Sequence, residues 1–296
     1  MPNAAAVSVL IVTADSGADV RECVACVLGS SVDVELILID NASRDGVPQA
    51  IQREYANDAR VRVLFNDRNF GFGPAVNRGA KLAHADALLI LNPDCMLERD
   101  TIEKLLEVRR GHPDAGIIGA VVCHENGEPD PASRRRDPLL RRSLVTLSGL
   151  SQRESRDSKY AGIDVPGPIP DQTIEAENVS GALMLIARAV FARLGGFDES
   201  YFLHCEDLDL CRRVRDAGCK VLLAGGVHVL HRKGGSSAHR PVFVSRHKHR
   251  GMWRWFRKFD PAARNPLTRA VVWCGIWLHF ALTAPLLALR KKSVTR

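Results

Sequence analysis

Short runs of consecutive apolar residues recur along the first third of the chain, separated by stretches of helical periodicity. The apolar runs lie at 7–12, 34–40, 61–65 and 87–92, and the helical stretches lie at 18–29, at 46–56 and after the turn that begins "NFGFG". Runs of this length, rich in valine, isoleucine and leucine, are typical of strands covered on both faces. Strands that alternate with helices predict the α/β class, with a mostly parallel, Rossmann-like sheet and helices on both faces.

Three of these runs end on polar side chains. Thr13 follows the first run, Asp40 closes the second, and Asp94 follows the fourth in "LLILNPD". In a parallel sheet, ligands bind beyond the carboxyl ends of the strands. The coincidence predicts a binding site at that edge, although a strand end followed by a turn would by itself explain an acid beside Pro93.

The periodicity weakens after about residue 123. The segments 124–142 and 151–176 are polar and rich in proline, and the first is also strongly basic. Long loops in a compact domain are usually functional or mobile. Order returns over 180–231, where the pattern predicts a strand, a helix, a turn, an acid cluster, a second helix and a second strand.

Composition limits the class of protein and its partners. The chain has 296 residues, 46% of them hydrophobic, and a formal net charge of +7, which indicates a folded protein with an anionic partner. That partner is a phosphate-bearing ligand, an acidic membrane or a nucleic acid. The N-terminus lacks the pattern of a secretory signal, and the single CxxC pair, Cys23 and Cys26, has no second pair to complete a zinc site. We therefore expect reduced thiols in a cytoplasmic protein.

Two groups of acids are candidates for chemistry. Asp94 suits a divalent cation, because Mg²⁺ and Mn²⁺ prefer oxygen ligands and often bridge one or two carboxylates to substrate phosphates. Glu206 and Asp207 are adjacent acids at the start of a predicted helix. They are explained either as helix-terminus acids favoured by the macrodipole or as a general base that takes a proton from an attacking hydroxyl.

The segment "HVLHRKGGSS" offers a third candidate. His231 follows a predicted strand and precedes a basic, glycine-rich stretch at 233–236 of the kind that closes over phosphates. A lone histidine is more often structural, but a neutral imidazole can also complete a metal site. The turn "NFGFGPAVNRG" matches neither GxGxxG nor a P-loop, which argues against a dinucleotide oxidoreductase and a P-loop ATPase.

Taken in order, seven segments resemble glycosyltransferase family 2 proteins with the GT-A fold. They are "VSVLIVT", "LILIDNASRDG", "NFGFGPAVNRG", "LLILNPD", "SGALMLIARAVFARLGGFDESYF", "EDLDLCRRVRDAG" and "HVLHRKGGSS". The resemblance extends over about residues 7–240 and is nearest to the rhamnosyltransferase-like branch that acts on bacterial cell-envelope glycans.

The resemblance implies a role for each candidate. Asp94 of "NPD" would hold Mg²⁺ or Mn²⁺ beside the donor diphosphate, joined by His231. Asp207 would be the catalytic base, with Glu206 beside it as a second catalytic residue. The residues implied in binding the nucleotide-sugar donor are Thr13, Asp40, Asn69, Gly71, Asn77, Asn92 and Asp94. The family inverts the anomeric carbon by direct displacement, with the metal steadying the leaving diphosphate.

The chain also departs from the family pattern. Its first strand continues into Thr13-Ala14-Asp15 where T-Y-N is usual, so the aromatic residue that would stack on the base is missing. The Q-x-x-R-W element of processive synthases is absent, because "GMWRW" has Gly251 in place of the glutamine. This favours addition of one sugar per encounter over polymerisation.

The C-terminal part, 241–296, differs from the transferase domain predicted for 1–240. It interleaves basic and aromatic residues at 245–259 and continues into twenty nearly uncharged residues at 270–289, enough to span a bilayer. His279, Gly275 and Pro285 suit a helix in the interface better than one that spans it. The alternative is a C-terminal helix buried on the domain or on a second subunit.

Together these observations predict a metal-dependent inverting glycosyltransferase at the cytoplasmic face of a bacterial membrane, held there peripherally or by its C-terminal helix. It would move rhamnose from dTDP-rhamnose to a polyprenyl-diphosphate-linked or glycan acceptor. We expect contact with an anionic membrane surface, no nucleic-acid partner and the option of a homodimer. The competing hypotheses are a nucleotidyltransferase on a similar sheet and a non-catalytic membrane-associated scaffold.

Overall fold

The structure is a computed structural model that describes residues 5–154, 157–232 and 240–294. One half of its sheet is parallel, as the apolar runs predict. This half contains, in spatial order, β3 (Val61–Phe65), β2 (Val34–Asp40), β1 (Val7–Thr13) and β4 (Ala87–Leu91). Every residue of β1 is buried, which is why its sequence is apolar throughout rather than alternating.

The other half of the sheet is mixed. The strand β8 (Leu183–Ala187) runs antiparallel between β4 and β6 (Ala115–Cys123), and β9 (Lys220–His231) runs parallel to β6. Two short strands, β5 (Cys95–Met96) and β7 (Thr173–Glu175), pair antiparallel with β9. The sheet is therefore a mixed α/β sheet whose longer strands are mostly parallel.

Helices cover both faces of the sheet, and the alternation of side chains along β1 separates two cores. Val9 and Ile11 face one core, whereas Leu10 and Val12 face the other. The helices are α1 (Asp19–Leu28), α2 (Val47–Glu54), α3 (Phe72–Ala80), α4 (Thr101–Gly111), α5 (Leu140–Leu147), α6 (Arg188–Arg193), α7 (Glu206–Asp216), α8 (Pro241–Phe259) and α9 (Pro266–Val294). The first core receives α1, α2 and α4, and the second receives α3, α6 and α7.

A bulge in β9 redirects the end of that strand. Its pairing with β6 shifts so that Ala120 faces Ala224 while Val121 faces His228. At the bulge, a Cβ on Gly225 would lie 1.8 Å from the Pro170 carbonyl oxygen, so only glycine permits this approach of the loop before β7. Beyond the bulge, β9 continues to His231, which pairs with Cys95 of β5.

Some elements were not expected from the pattern. The segment 101–123 forms α4 and β6, which were not predicted. Its sequence is nevertheless typical of both elements, because "TIEKLLEVRRG" is amphipathic and "AGIIGAVVC" is an apolar run of nine residues. The helix α5 begins within the first stretch predicted as loop, 124–142, and ends between the two predicted loops. All eight cysteines are free thiols, as the composition indicated.

The helix α8 packs on the segment that precedes α7. Trp255 is 1% exposed and forms a small third core with Tyr201, Cys205 and Leu208. Arg254 Nη2 donates to both oxygens of the Asp198 carboxylate, to Oδ2 at 2.7 Å and to Oδ1 at 2.9 Å. The aromatic and basic residues of this stretch therefore serve, in part, to dock α8 on the domain beside the start of α7.

The helix α9 is long and apolar enough to cross a membrane. Its window Pro266–Ala288 has a mean hydropathy of 1.7, and none of it is buried in the protein. Burial of this helix on its own domain, one of the alternatives above, is therefore wrong. The contact of α9 with α8 includes a hydrogen bond of 2.9 Å between the His249 and His279 rings.

Gly251 of α8 provides a test of this docking. A Cβ at this position would lie 2.7 Å from the His204 carbonyl oxygen and 3.1 Å from Cys205 Sγ. Overpacking costs about 1–3 kcal/mol, which outweighs the gain of about 1 kcal/mol from replacing glycine in a helix. We expect Gly251→Ala to lower the midpoint of thermal unfolding in detergent.

Gly275 of α9 is the matched control, because nothing lies within 4 Å of its added Cβ. Gly275→Ala should leave the midpoint unchanged or raise it. Equal behaviour of the two variants would show that α8 does not pack closely on residues 204–205.

Candidate active site

The carboxyl ends of β4 and β9 meet at one corner of the sheet. Asp94 Oδ1 lies 3.0 Å from His231 Nε2, and Asn92 Nδ2 lies 3.4 Å from the same nitrogen. The Arg232 amide donates to the Asp94 carbonyl oxygen at 3.0 Å, and the β5–β9 pairing fixes the backbone on both sides. Asp94 and His231 are separated by more than a hundred residues in sequence but form one pair in the fold.

This pair fits a divalent cation. Two ligand atoms at right angles on an ion with bonds of about 2.1 Å are about 3 Å apart, which matches the distance between Asp94 and His231. His231 Nδ1 is buried and has no hydrogen-bond partner among the described residues, so the ring is held by its Nε2 side alone. The carboxylate oxygen suits Mg²⁺ or Mn²⁺, and a neutral imidazole nitrogen can complete the set of ligands.

Cys95 also lies within 4.8 Å of both ligand atoms, but its environment argues against coordination. Burial raises the pKa of the Cys95 thiol, and Cys95 Sγ donates to the Ala182 carbonyl oxygen at 3.5 Å. A protonated thiol is a poor ligand for a hard cation. We therefore assign the candidate metal centre to Asp94 and His231.

The adjacent acids begin α7 after a strained turn. His204 and Cys205 both have positive φ, 68° and 70°, a conformation that costs non-glycine residues energy and that clusters at functional sites. Asp207 Oδ1 accepts from the Leu208 amide at 2.9 Å, and Oδ2 accepts from the Gly181 amide at 3.3 Å. The side chain is 15% exposed, so a carboxylate oxygen remains within reach of a substrate.

Glu206 has a different environment from its neighbour. It is buried, and its Oε2 has no partner among the described residues. Burial, together with the charge of Asp207, raises the pKa of Glu206 to about 8. Glu206 is thus mostly protonated at pH 7, and adjacent carboxyls with different environments are common where two acids take different parts in a reaction.

A single turn joins the acids of α7 to the metal pair. Gly181 binds Asp207 through its amide, and the carbonyl oxygen of the next residue, Ala182, accepts from the Asn92 amide at 2.9 Å. A Cβ on Gly181 would lie 3.0 Å from Asp207 Cβ, which explains the glycine in "SGALML". The base candidate and the metal candidate are therefore held at a fixed separation.

The ends of β1 and β2 form the neighbouring part of the site. Asp40 is 2% exposed and accepts from the Ser43 amide at 3.0 Å, and it pairs in register with Thr13. Thr13 Oγ1 is buried and lacks a partner within the described residues. Ala14 stands where the family has an aromatic residue, and the next residue, Asp15, has a positive φ of 55°.

The turn before α3 lies between these residues and α7. The Gly71 amide donates to Asn69 Oδ1 at 2.9 Å, and its carbonyl oxygen accepts from Asn41 Nδ2 at 2.9 Å. Gly71 has a φ of 95°, and a Cβ there would lie 2.5 Å from the Phe202 carbonyl oxygen. The backbones of the two loops therefore touch, and only glycine allows it.

Asn77, which the resemblance places in donor binding, is half-buried, and both ends of its side-chain amide have partners within the protein. Its side-chain amide donates to the Phe197 carbonyl oxygen at 2.9 Å and accepts from the Phe197 amide at 2.8 Å. A further contact of 3.1 Å joins it to Glu199. We interpret Asn77 as the residue that holds the "GGFDES" loop against α3, because both ends of its amide are already bound.

Sequence reasoning missed Arg135, which lies in the basic stretch 124–142 that the pattern predicts as a loop. Arg135 Nη2 is 3.2 Å from Asp207 Oδ2. Two neighbouring arginines are also paired internally, Arg136 with Glu154 and Arg142 with Glu177. No short-range pattern indicates these pairs. The glycine-rich segment predicted to close over phosphates lies outside the described residues.

Comparison with known proteins decides the family. The profile of glycosyl transferase family 2 matches residues 8–167.

The chain belongs to glycosyl transferase family 2.

Relatives of known name agree with this assignment. The chain is 30% identical over 272 residues to the N-acetylglucosaminyl-diphospho-decaprenol L-rhamnosyltransferase of Mycobacterium tuberculosis, covering 81% of this chain and 85% of the relative. It is 22% identical to a rhamnosyltransferase of Escherichia coli, covering 67% of this chain and 83% of that protein.

A solved structure supports the fold. The chain superposes with a TM-score of 0.59 on a mannosyltransferase of Pyrobaculum calidifontis in complex with GDP-Man and Mn²⁺, at 16% identity, covering 97% of this chain and 74% of that one. The GT-A fold, the family and the glycosyltransferase class expected from the sequence are confirmed.

The raised pKa of Glu206 predicts a pH dependence of stability in this glycosyltransferase. Below about pH 4.5 the side chain is protonated in both the folded and unfolded states. Between about 4.5 and 8 the unfolded chain releases a proton that the folded chain keeps, so the free energy of unfolding falls as the pH rises.

Glu206→Gln removes this titration while keeping the shape of the side chain. Relative to the wild type, the variant should gain up to about 1 kcal/mol of stability per pH unit across this window. Denaturant unfolding of both proteins from pH 5 to 8 measures the difference. A constant difference across the range would mean that Glu206 is ionised in the folded protein.

Proposed function

We propose that this glycosyltransferase is a metal-dependent inverting enzyme that moves rhamnose from dTDP-rhamnose to a polyprenyl-diphosphate-linked acceptor. The observation that carries the proposal is the fixed link, through Gly181 and Ala182, between the Asp94–His231 pair and Asp207. A leaving-group site and a base on opposite sides of one reacting carbon are what inverting displacement requires.

The metal part of the proposal rests on the donor set described above. Asp94 and His231 would hold Mg²⁺ or Mn²⁺, and that cation would supply positive charge beside the donor diphosphate. Manganese was present in the related mannosyltransferase structure. Asp40 and Thr13, with Asn69, Gly71 and Asn92, would surround the nucleoside and sugar.

Asp207 would act as the base. The acceptor hydroxyl gives its proton to the Asp207 carboxylate while its oxygen forms the new bond to the anomeric carbon. The bond from that carbon to the diphosphate oxygen breaks, and the nucleoside diphosphate leaves. Neutral Glu206 keeps a second negative charge out of the site, so it supports Asp207 without competing for the proton.

Donor and acceptor are proposed from the relatives. The two relatives described above are named as rhamnosyltransferases, and one name specifies a diphospho-decaprenol acceptor. The exposed apolar helix α9 supports a membrane-embedded acceptor, with 241–296 as the membrane- or acceptor-interacting part and 1–240 as the transferase domain. The cytoplasmic face of the membrane, where the nucleotide sugar is available, would be the site of action.

The competing hypotheses have less support. A nucleotidyltransferase would need a basic glycine-rich loop after β1, where the chain instead has Asp15, which accepts from the Arg44 amide, and Gly17, whose amide donates to Asp45 of the loop after β2. A scaffold that had lost catalysis would have no reason to keep Asp207 and the segment that carries Asp94 bound to one turn.

Asp207→Asn tests the base. The amide keeps the size of the side chain but cannot accept the proton, and removing a general base costs about 10²–10⁴-fold in rate. We expect transfer from dTDP-rhamnose to fall by at least a hundredfold, with donor affinity retained. Transfer at near wild-type rate would contradict the assignment.

Asp94→Asn tests the metal centre, with Asp86→Asn as its control. Asp86 carries a 93% exposed side chain outside the site. We expect Asp94→Asn to need much more Mn²⁺ than the wild type for half-maximal transfer, because a charged ligand is lost, whereas Asp86→Asn titrates like the wild type. Identical Mn²⁺ dependence of all three proteins would place the cation elsewhere.

A further inference from the structure

The hydrogen bonds of Asp207 leave one acceptor position open. Each carboxylate oxygen has two lone pairs. Oδ2 accepts from the Gly181 amide and from Arg135 Nη2, at 3.3 and 3.2 Å, so it is fully used. Oδ1 accepts from the Leu208 amide at 2.9 Å and keeps one lone pair. Arg135 thereby directs the acceptor hydroxyl to Oδ1.

Arg135 itself has donors to spare. A guanidinium carries five N–H groups in a planar fork, and the side chain of Arg135 is 26% exposed. Its Nε is buried and has no partner in the part of the chain that the structure describes. Because Arg135 contacts Asp207 through Nη2 alone, its remaining N–H groups can bind a second anion. A phosphate matches the planar arrangement of guanidinium donors.

The backbone holds Arg135 firmly in this position. Its amide donates to the Asn178 carbonyl oxygen at 3.1 Å and its carbonyl oxygen accepts from the Asn178 amide at 3.0 Å. Two residues later, Asp137 forms ion pairs with Arg212 and Arg215 of α7. These ion pairs hold the segment 135–137 against α7, the helix that carries Asp207.

The same segment leads to the membrane helix. The Leu140 amide donates to Asp260 Oδ2, and Asp260 precedes the turn from which α9 begins. Five residues, at most about 18 Å of chain, therefore separate Arg135 from the contact with Asp260, and α9 begins six residues after Asp260. A diphosphate at the head of a membrane lipid would approach Asp207 from this side, whereas the donor diphosphate belongs with Asp94 and His231.

We propose that Arg135 binds the diphosphate of the lipid-linked acceptor with its free edge while its other edge orients Asp207. The inference deepens, and rests on, the function proposed above. One guanidinium would then contact both the base and the acceptor anion.

Binding of geranyl diphosphate, a short prenyl diphosphate, tests this without catalysis. The measurement is made by calorimetry in EDTA, so that the metal site does not contribute. The variants are Arg135→Gln, Arg135→Lys and, as control, Arg142→Gln, which breaks a comparable ion pair with Glu177 away from the base. Circular dichroism of each variant confirms that it is folded.

We expect the wild type and Arg142→Gln to bind alike, and Arg135→Gln to bind about tenfold or more weakly, as expected for loss of a charge-assisted contact. Arg135→Lys should lie between them, because it keeps the charge and loses the fork. Asp207→Asn should bind several-fold more tightly than the wild type, because the charge that competes for Arg135 is gone.

Equal binding by all variants, or no binding by the wild type, overturns the proposal. A second arm measures dTDP binding with Mn²⁺. If Arg135→Gln weakens dTDP and leaves geranyl diphosphate unchanged, Arg135 serves the donor and the acceptor assignment is wrong. Absence of sugar transfer by the wild type would instead defeat the proposed function, which these binding measurements do not use.

Discussion

The site depends on the turn formed by Gly181 and Ala182. The Gly181 amide donates to Asp207, and the Ala182 carbonyl oxygen accepts from the amide of Asn92. Consecutive residues therefore position Asp207 and the segment that carries Asp94. Catalytic groups must be held within a fraction of an ångström to be effective. Because this turn leads directly into buried β8, the core of the domain stabilises the separation between base and metal pair.

Strain is concentrated where that precision is needed. Among the described residues, the non-glycine positions with positive φ are Asp15, Ala42, His204 and Cys205. All lie in the loops beyond β1 and β2 or directly before the base. Residues 204–205 are covered by α8, and Gly251 of that helix permits its close approach to their backbone. The C-terminal segment therefore supports the geometry of Asp207, the proposed base.

Local pattern was sufficient to predict the parallel half of the sheet and the acids at its edge, because strand-length apolar runs and polar strand ends are written in consecutive residues. The elements α4 and β6 were not predicted, although the amphipathic stretch 101–111 and the apolar run 115–123 are typical of a helix and a buried strand. Arg135 and Asn77 could not be interpreted this way, since their partners lie 72 and 120 residues away. Such contacts are set by the packing of loops rather than by periodicity. The meeting of Asp94 and His231 was implied only through resemblance to the family.

The central claim is that the edge near Asp94 is a metal-assisted site for the diphosphate of one nucleotide sugar. It is tested most directly by the thermal stabilisation of the purified protein with dTDP, UDP, GDP and ADP, each with Mn²⁺ and with EDTA, since a ligand of the folded state raises stability in proportion to its occupancy. The account predicts a rise in the unfolding midpoint with dTDP that requires Mn²⁺ and is much smaller with the other nucleotides. No Mn²⁺-dependent rise with any of the four would contradict it.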